Sequence, residues 1–153
     1  MRGDGNVRTQ RKGAWDMFTD DDLHFLAEPR LGLLTVAPEP ETWPVPVPVW
    51  FECTGATVQL FSLASAPKVQ RVEHTPYASL VAVNHLGEPE HWVSVVGPAH
   101  VDRTGGFELA ARLAGRYWDV ADPDRARTLQ TWKQSADNLV RIIILAEQVR
   151  RYG

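Results

Sequence analysis

The chain has 153 residues, which suits one compact domain of roughly 100–200 residues and leaves too little chain for two separate cores. Apolar residues make up 44% and charged residues 23%, which excludes wholesale disorder, and the formal net charge of −3 gives no electrostatic footprint for nucleic acid. No apolar run approaches the ~20 residues of a membrane helix, and the single cysteine, Cys53, excludes an intrachain disulfide and a cysteine-based zinc cluster. Because residues 1–13 also lack the apolar stretch of a secretory signal, we predict a cytoplasmic protein.

The N-terminal segment, residues 1–14, is basic and poor in apolar side chains. We interpret it as a disordered tail, because so little apolar surface cannot offset the entropy cost of ordering, and we take residues 15–153 as a single domain. Thr19 is a candidate N-cap, and the three acidic residues that follow it suit the positive end of a helix dipole. A short helix is therefore expected here, followed by a strand over 31–37.

Prolines stand at every second position of the next apolar segment, the run WPVPVPVW over residues 43–50. Alternate backbone groups of a strand point to opposite sides, so these prolines remove hydrogen-bond donors from one edge only. The segment can therefore pair with one neighbouring strand, while its other edge offers only carbonyl acceptors. One interpretation is an edge strand protected against aggregation. The other is that something other than a strand lies along that edge.

The remaining patterns predict short strands and helices without βαβ alternation. A turn at 54–57 joins the proline-rich strand to its return strand, and Ser65 is a candidate N-cap for the helix that follows. Gly97 and Pro98 indicate a bulge or bend inside a long strand, and Leu129 and Trp132 are expected to face inward from the last helix. The expected elements are strands over 58–63, 77–83, 91–101 and 139–149 and helices over 67–74, 107–118 and 123–134. The fold class is therefore α+β and mainly β, with about six antiparallel strands in a small barrel and the helices packed outside.

Segment 61–76 combines the end of a strand with the start of a basic helix. Ser62 and Ser65 supply hydroxyls, the helix start supplies backbone amides, and Lys68 and Arg71 supply positive charge. Such groups together make an anion site, and phosphate is its usual occupant. The alternative is an ordinary capped helix with solvated basic residues.

Other catalytic signatures are missing from the sequence. It contains no nucleophile elbow, no phosphate-binding glycine loop and no dinucleotide fingerprint. His85, His91 and His100 could bind a metal only if they converged with a carboxylate. Because histidines near polar turns are more often solvated, we predict no metal site.

Three residues of segment 61–76 carry a resemblance to a known family. A predicted strand ends in Ser62, Lys68 follows, Pro76 comes eight residues after Lys68, and a further strand comes next. This pattern is similar to the flavin-phosphate region of the pyridoxamine 5′-phosphate oxidase-like split barrels. That superfamily includes FMN-binding oxidases and reductases that use the deazaflavin coenzyme F420. Outside this segment the matching features are the proline-rich strand, Gly97, Arg116, Tyr117, Trp118 and Arg141. The resemblance covers about residues 19–150 and implies a split antiparallel β-barrel.

The resemblance also implies a function. It implies a homodimer that holds coenzyme F420 or FMN at its interface and transfers hydride between that cofactor and a small organic substrate. Lys68 would hold the cofactor phosphate, and Arg71 and Arg116 would serve the polyanionic tail of F420. The resemblance implies three further kinds of cofactor contact. Hydroxyls near the phosphate would come from Ser62 and Ser65, and one residue of the partner subunit would be Trp92. The backbone along the ring would be that of Val47, Pro48, Val49 and Trp50.

Two other functions remain open at this point. One is a non-catalytic split barrel that binds a flavin, a haem or another tetrapyrrole for storage or sensing. The second is a structural or partner-binding barrel without a cofactor. No side-chain acid or base is demanded by the sequence, although His85, His91 and Tyr117 are available as proton donors.

Overall fold

The computed structural model describes residues 17–153, so the predicted N-terminal tail lies outside the described residues. The described helices are α1 (Asp20–Ala27), α2 (Pro67–His74), α3 (Gly106–Tyr117) and α4 (Pro123–Gln134), with a 3₁₀ turn at Ala136–Asn138. The described strands are β1 (Gly32–Val36), β2 (Pro46–Val49), β3 (Glu52–Thr54), β4 (Thr57–Leu63), β5 (Tyr77–Val83), β6 (Trp92–Asp102), β7 (Leu139–Leu145) and β8 (Gln148–Tyr152). The fold is α+β, as the sequence predicted.

The first helix begins where the sequence predicted. The Thr19 hydroxyl accepts a hydrogen bond from the Asp22 amide at 3.1 Å, and the Asp22 carboxylate accepts one from the Thr19 amide at 2.8 Å. This reciprocal capping box satisfies two amides that the first turn leaves without helical partners. The Asp22 carboxylate also receives the Arg151 guanidinium of β8, with a shortest distance of 2.7 Å, so α1 is fastened to the end of the chain.

All strand pairs are antiparallel, and the sheet order is β2-β1-β5-β6-β7-β4-β3. Strand β6 belongs to both halves of this sheet. Its first part pairs with β5 and β8, and its last part, Ala99 to Asp102, pairs with β7. The two strands at the ends of the order, β2 and β3, are consecutive in the chain and separated only by Trp50 and Phe51. The chain itself therefore joins β2 to β3, in place of a hydrogen-bonded ladder between them. A barrel that is interrupted in this way is called a split barrel.

The closing strand differs from the prediction in one respect. The sequence predicted one strand over 139–149, but β7 and β8 are separated by an irregularity at residues 146–147. Ile144 pairs with Ala99 and Gln148 pairs with Val96, so three residues of the closing strand oppose two of β6. The extra residue is a bulge in the closing strand, directly opposite Gly97. A Cβ atom at Gly97 would collide with the Leu145 carbonyl oxygen, so this close approach requires glycine.

Alternate strand residues fill the barrel interior. The largest fully buried side chains of the strands are Leu34, Val58, Leu60, Leu80, Ile142 and Ile144, and Phe51 joins them from the link between β2 and β3. Helix α3 buries one apolar stripe against β4 and β7, whereas α4 buries no residue. Leu129 and Trp132 are half-buried in an otherwise exposed helix, and the Trp132 ring packs against Phe61 of β4 at 5.3 Å, so α4 turns this side toward the barrel as predicted. Among residues 17–153, no helix is both long and apolar enough to cross a membrane.

Candidate functional site

The turn between β4 and α2 leaves a helix N-terminus without a side-chain cap. Ser65 is not the N-cap, contrary to the prediction; Ala66 takes that position and makes no side-chain hydrogen bond. Two turn amides are used by the fold, because Ala64 donates to the Asn138 carbonyl at 2.8 Å and Ala66 to the Leu63 carbonyl at 3.0 Å. Pro67 has no amide hydrogen. The first-turn amide of Lys68 has no acceptor within the helix.

Lys68 lies half-buried in this first turn. Burial lowers the pKa of its ammonium group below the ordinary lysine value, and no acidic group among residues 17–153 opposes that shift. A cation that loses water without gaining a counter-ion is unfavourable, so the position suits an anion brought from outside. The first turn of α2 also contains no acidic residue that would repel that anion or compete with it for Lys68.

The other predicted phosphate contacts differ in accessibility. Ser62 is buried and shares the inward face of β4 with Val58 and Leu60. Its hydroxyl donates to the Leu63 carbonyl at 3.2 Å, so it must rotate away from that carbonyl to donate to a ligand. Ser65 is exposed in the turn, and Arg71 is half-buried one helical turn after Lys68.

The proline-rich strand has the edge that the sequence predicted. Strand β2 is terminal in the sheet, pairing Val47 with Leu34 and Val49 with Gly32 of β1. Because prolines cannot donate to a ladder, Pro46 and Pro48 are the outward-facing residues, and they offer carbonyl oxygens only. No described strand pairs with this outer edge. Pro48 is exposed, Val47 half-buried and Val49 buried.

Trp50 directly follows β2, and its side chain packs in a cluster of aromatic side chains on the outside of the barrel. Its ring stacks on Tyr117, with centroids 5.1 Å apart and planes 2° apart, and meets the edge of Trp118 at 4.7 Å. Phe61 and Trp132 complete this aromatic cluster. The side chain of Trp50 is therefore engaged within the chain, and only its backbone remains available along the strand edge.

Arg116 is also engaged within the chain. Its guanidinium donates to the carbonyl oxygens of Leu26 at 2.6 Å and Glu28 at 2.8 Å, which caps the C-terminal end of α1. Such a bond satisfies carbonyls that a helix end leaves open and places positive charge at the negative end of the dipole. The expectation that Arg116 serves a cofactor tail is therefore replaced by a structural role. Tyr117 is occupied as well, because its hydroxyl donates to the Arg30 carbonyl at 2.6 Å.

Trp92 and Lys68 are not brought together within one chain. Leu63, which precedes the turn to α2, pairs with Leu139 at one end of the closing strand. Trp92 pairs with Tyr152 at the other end and stacks on its ring at 6.5 Å. A site that uses both Trp92 and Lys68 therefore needs a second copy of the chain.

The structure exposes an apolar sheet surface that the sequence analysis did not identify. Residues paired across β2, β1, β5, β6 and β8 project from the same side, where Ser79, Ser94 and Arg150 lie among apolar side chains. We call the apolar set the outer face: Leu33, Pro48, Tyr77, Val81, Val83, Trp92, Val96 and Tyr152. Most of these side chains are exposed. A signal was present in the sequence, because β5 reads YASLVAV, and a strand that is apolar at consecutive positions is typical of burial on both faces.

Two surface cavities lie away from the predicted site residues. One, of about 420 Å³, lies between α2 and β6 and includes Val72, His100 and Arg103. The other, of about 250 Å³, lies at the start of α3. Among residues 17–153, no group of three or more histidine, cysteine or acidic side chains could hold a metal ion.

Comparison with known proteins gives the fold. No protein-family model matches the chain, and no curated protein matches it. A solved F420 reductase is 16% identical, with 83% of this chain and 94% of that chain covered and a TM-score of 0.65. A conserved hypothetical protein from Mycobacterium tuberculosis is 17% identical over 94% of this chain and 89% of that chain, with a TM-score of 0.72. A pyridoxamine 5′-phosphate oxidase candidate from Listeria innocua is 19% identical over 86% and 95%, with a TM-score of 0.61.

The chain therefore has the split-barrel fold of these solved structures. This confirms the fold that the resemblance implied. Because these identities are below 25%, they establish the fold, and the function of a fold is decided by its site.

Proposed function

We propose that the protein is a cytoplasmic homodimeric oxidoreductase that transfers hydride between bound F420 or FMN and a small organic substrate. The observation that carries the proposal is Lys68, a half-buried cation in the first turn of an uncapped helix, with no acidic partner among residues 17–153. One of the solved structures similar in fold is an F420 reductase, which supports a phosphate-bearing ring cofactor as the missing anion.

The residues of the site divide into two groups by chemistry. Lys68 and the first-turn amide of α2 would hold the cofactor phosphate, with Arg71 one turn away and Ser62 and Ser65 as hydroxyl donors. The acceptor-only edge of β2, from Val47 to Trp50, suits the ring, because the imide N–H of a flavin or deazaflavin is a donor that such an edge can receive. The bound cofactor supplies hydride transfer, while the protein orients it and excludes water.

The proposed dimer follows from the outer face and from Trp92. Exposed apolar side chains on five adjacent strands form a surface that a second copy would bury. Twofold pairing would also bring Trp92 of one copy toward the Lys68 end of the other, which a single chain does not achieve. The pocket that binds the ring would then exist only in the dimer, in keeping with the position of both cavities away from β2.

One observation favours the second candidate, a non-catalytic barrel that binds a flavin or a tetrapyrrole. Several arginines are already paired, including Arg103 with Glu73 at 2.7 Å and Arg141 with Asp102 at 2.6 Å, and Arg116 caps α1. Lys68 and Arg71 are then the cations left near the start of α2. Two cations can neutralise one phosphate more readily than they can neutralise the several charges of a polyanionic tail.

Titration of the purified protein with FMN and with F420, followed by fluorescence, tests the proposal. Micromolar binding of one cofactor names it, and oxidation of the reduced cofactor in the presence of candidate substrates separates an enzyme from a storage protein. A protein that binds haem and neither flavin establishes the second candidate. A protein that binds none of the three contradicts both candidates and leaves a structural or partner-binding barrel.

A further inference from the structure

Three segments of the chain meet at the hydroxyl of Tyr117, the last residue of α3. The hydroxyl donates to the Arg30 carbonyl at 2.6 Å and receives the Phe51 amide at 3.4 Å. Arg30 lies two residues before β1, and Phe51 lies two residues after β2. The Tyr117 hydroxyl thus links the segment that precedes β1 to the segment that follows β2.

These bonds act at the strand that carries the acceptor-only edge. The β1–β2 ladder has only four residue pairs and ends at Gly32 and Val49, immediately before the Tyr117 contacts. No described strand pairs with the other edge of β2, so beyond this ladder its C-terminal end is held by the burial of Val49 and Phe51 and by the Tyr117 contacts. The Tyr117 ring adds a stacking contact on Trp50, the residue that follows Val49.

The environment of Tyr117 keeps its hydroxyl a donor. Burial raises the pKa of the phenol above its ordinary value, and this effect outweighs the opposing influence of the Phe51 backbone and Arg116. The proton therefore stays on the oxygen across the physiological range. The carbonyl that accepts this proton belongs to Arg30. The Arg30 side chain is buried and paired with Glu88 at 2.8 Å, so the residue and its carbonyl are held in place.

We propose that Tyr117 is a positioning residue that sets the place of β2 against β1 and thereby the geometry of the edge that receives the cofactor ring. This inference rests on the proposed function. Tyr117 does not touch the cofactor; it acts through the backbone of Trp50 and Phe51. Its loss should therefore weaken binding of the ring and leave the phosphate contact of Lys68 intact.

The experiment compares Tyr117→Phe with Lys68→Ala, using each cofactor and its phosphate-free form: FMN and riboflavin, F420 and the phosphate-free deazaflavin. Tyr117→Phe should lower the affinity for both members of a pair by the same factor, about tenfold, which is the usual scale of one hydrogen bond. Lys68→Ala should lower only the affinity for the phosphate-bearing member. Ile142→Val is the control, because it removes a buried methyl group from β7, away from β2, and lowers stability without touching the edge.

Amide hydrogen exchange in the cofactor-free protein gives a second readout. Tyr117→Phe should speed exchange of the Phe51 amide by about tenfold, since that amide loses its partner, and Ile142→Val should not. Unchanged ring affinity in Tyr117→Phe overturns the role in cofactor geometry. If the native protein binds no flavin or deazaflavin, the proposed function fails and the cofactor role fails with it. The Phe51 exchange rate then still decides whether Tyr117 anchors the strand, and an unchanged rate overturns that part too.

Discussion

A half-buried ammonium group without a counter-ion raises the free energy of the folded chain, because burial removes part of its water and nothing replaces it. Lys68 has no counter-ion among the described residues 17–153, and burial alone lowers its pKa. Structural lysines usually avoid such an arrangement by snorkelling into water. The cost is offset if an anion binds, and this is why Lys68 carries the proposal when the exposed Lys133 does not.

The first prediction concerns that charge. Lys68→Ala should weaken FMN or F420 binding by about 1–3 kcal/mol, the scale of a hydrogen bond to a charged group, and should not lower the thermal midpoint of the cofactor-free protein. Isothermal titration and thermal unfolding measure the two quantities. Lys133→Ala, which removes an exposed lysine from α4, is the control and should leave affinity unchanged. Equal cofactor affinity in Lys68→Ala and Lys133→Ala would contradict the phosphate assignment.

The second prediction concerns the buried carboxylate of Asp22. Burial works to raise its pKa, but the hydrogen bonds and charge of Arg151 and the Thr19 amide prevail, so the pKa is lowered. A carboxyl with a lowered folded pKa contributes stability above its unfolded pKa, and that contribution is lost as pH falls through the folded value. Asp22→Asn should therefore lower the free energy of unfolding at pH 7 by about 2–3 kcal/mol and flatten its decline below about pH 4. Urea unfolding at pH 7 and pH 3 measures both effects; a decline as steep as in the native chain would contradict this account.

At the scale of elements, local signals located most of the boundaries. The Thr19 cap, the turn near Gly55 and the prolines that begin α2 and α4 each act through residues close in sequence, so the sequence placed these elements correctly. The bulge was misplaced. Gly97 and Pro98 suggested an irregularity in β6, but the extra residue lies in the strand opposite. In the sequence, a glycine that makes room for a neighbouring strand cannot be distinguished from a glycine that bends the strand to which it belongs.

The third prediction compares two glycines. Gly97→Ala should destabilise the protein by about 2 kcal/mol or more, because its methyl group would meet the Leu145 carbonyl and force the strands apart. Gly115→Ala lies in α3 with open space around its Cβ position and should stabilise by about 0.5–1 kcal/mol through helix propensity. Chemical unfolding of both variants measures the difference. Equal effects of the two substitutions would show that the close approach at the bulge is not tight.

At the scale of the whole molecule, the outer face sets the expected assembly. The fourth prediction is that Val83→Arg converts a dimer to monomers and weakens cofactor binding, because a buried charge cannot be accommodated in an apolar interface and the site needs both copies. Val120→Arg is the matched control: Val83 is 45% exposed and Val120 is 41% exposed, but Val120 lies after α3, outside the sheet. Sedimentation velocity measures the assembly. A native chain that sediments as a monomer, or a dimer that Val83→Arg does not change, would contradict this interface.

The sequence by itself determined the elements and the chemistry of two short segments. Strand and helix positions follow from local periodicity and capping, and the acceptor-only edge of β2 follows from the prolines between Trp43 and Trp50. Lys68 at a strand-to-helix turn was also readable, since it depends only on neighbouring residues. The resemblance carried by Ser62, Lys68 and Pro76 implied the split barrel, which the structure confirms.

Only the tertiary structure decided which side chains remain available. Arg116 was expected at a cofactor tail and caps α1 instead, and the ring of Trp50 stacks on Tyr117. The Tyr117 hydroxyl bridges Arg30 and Phe51, which lie 87 and 66 residues away in the chain. Contacts between residues so far apart depend on how the strands and helices pack, and no local pattern records them. The sequence thus set which groups could act, and the packing set which of them are free to do so.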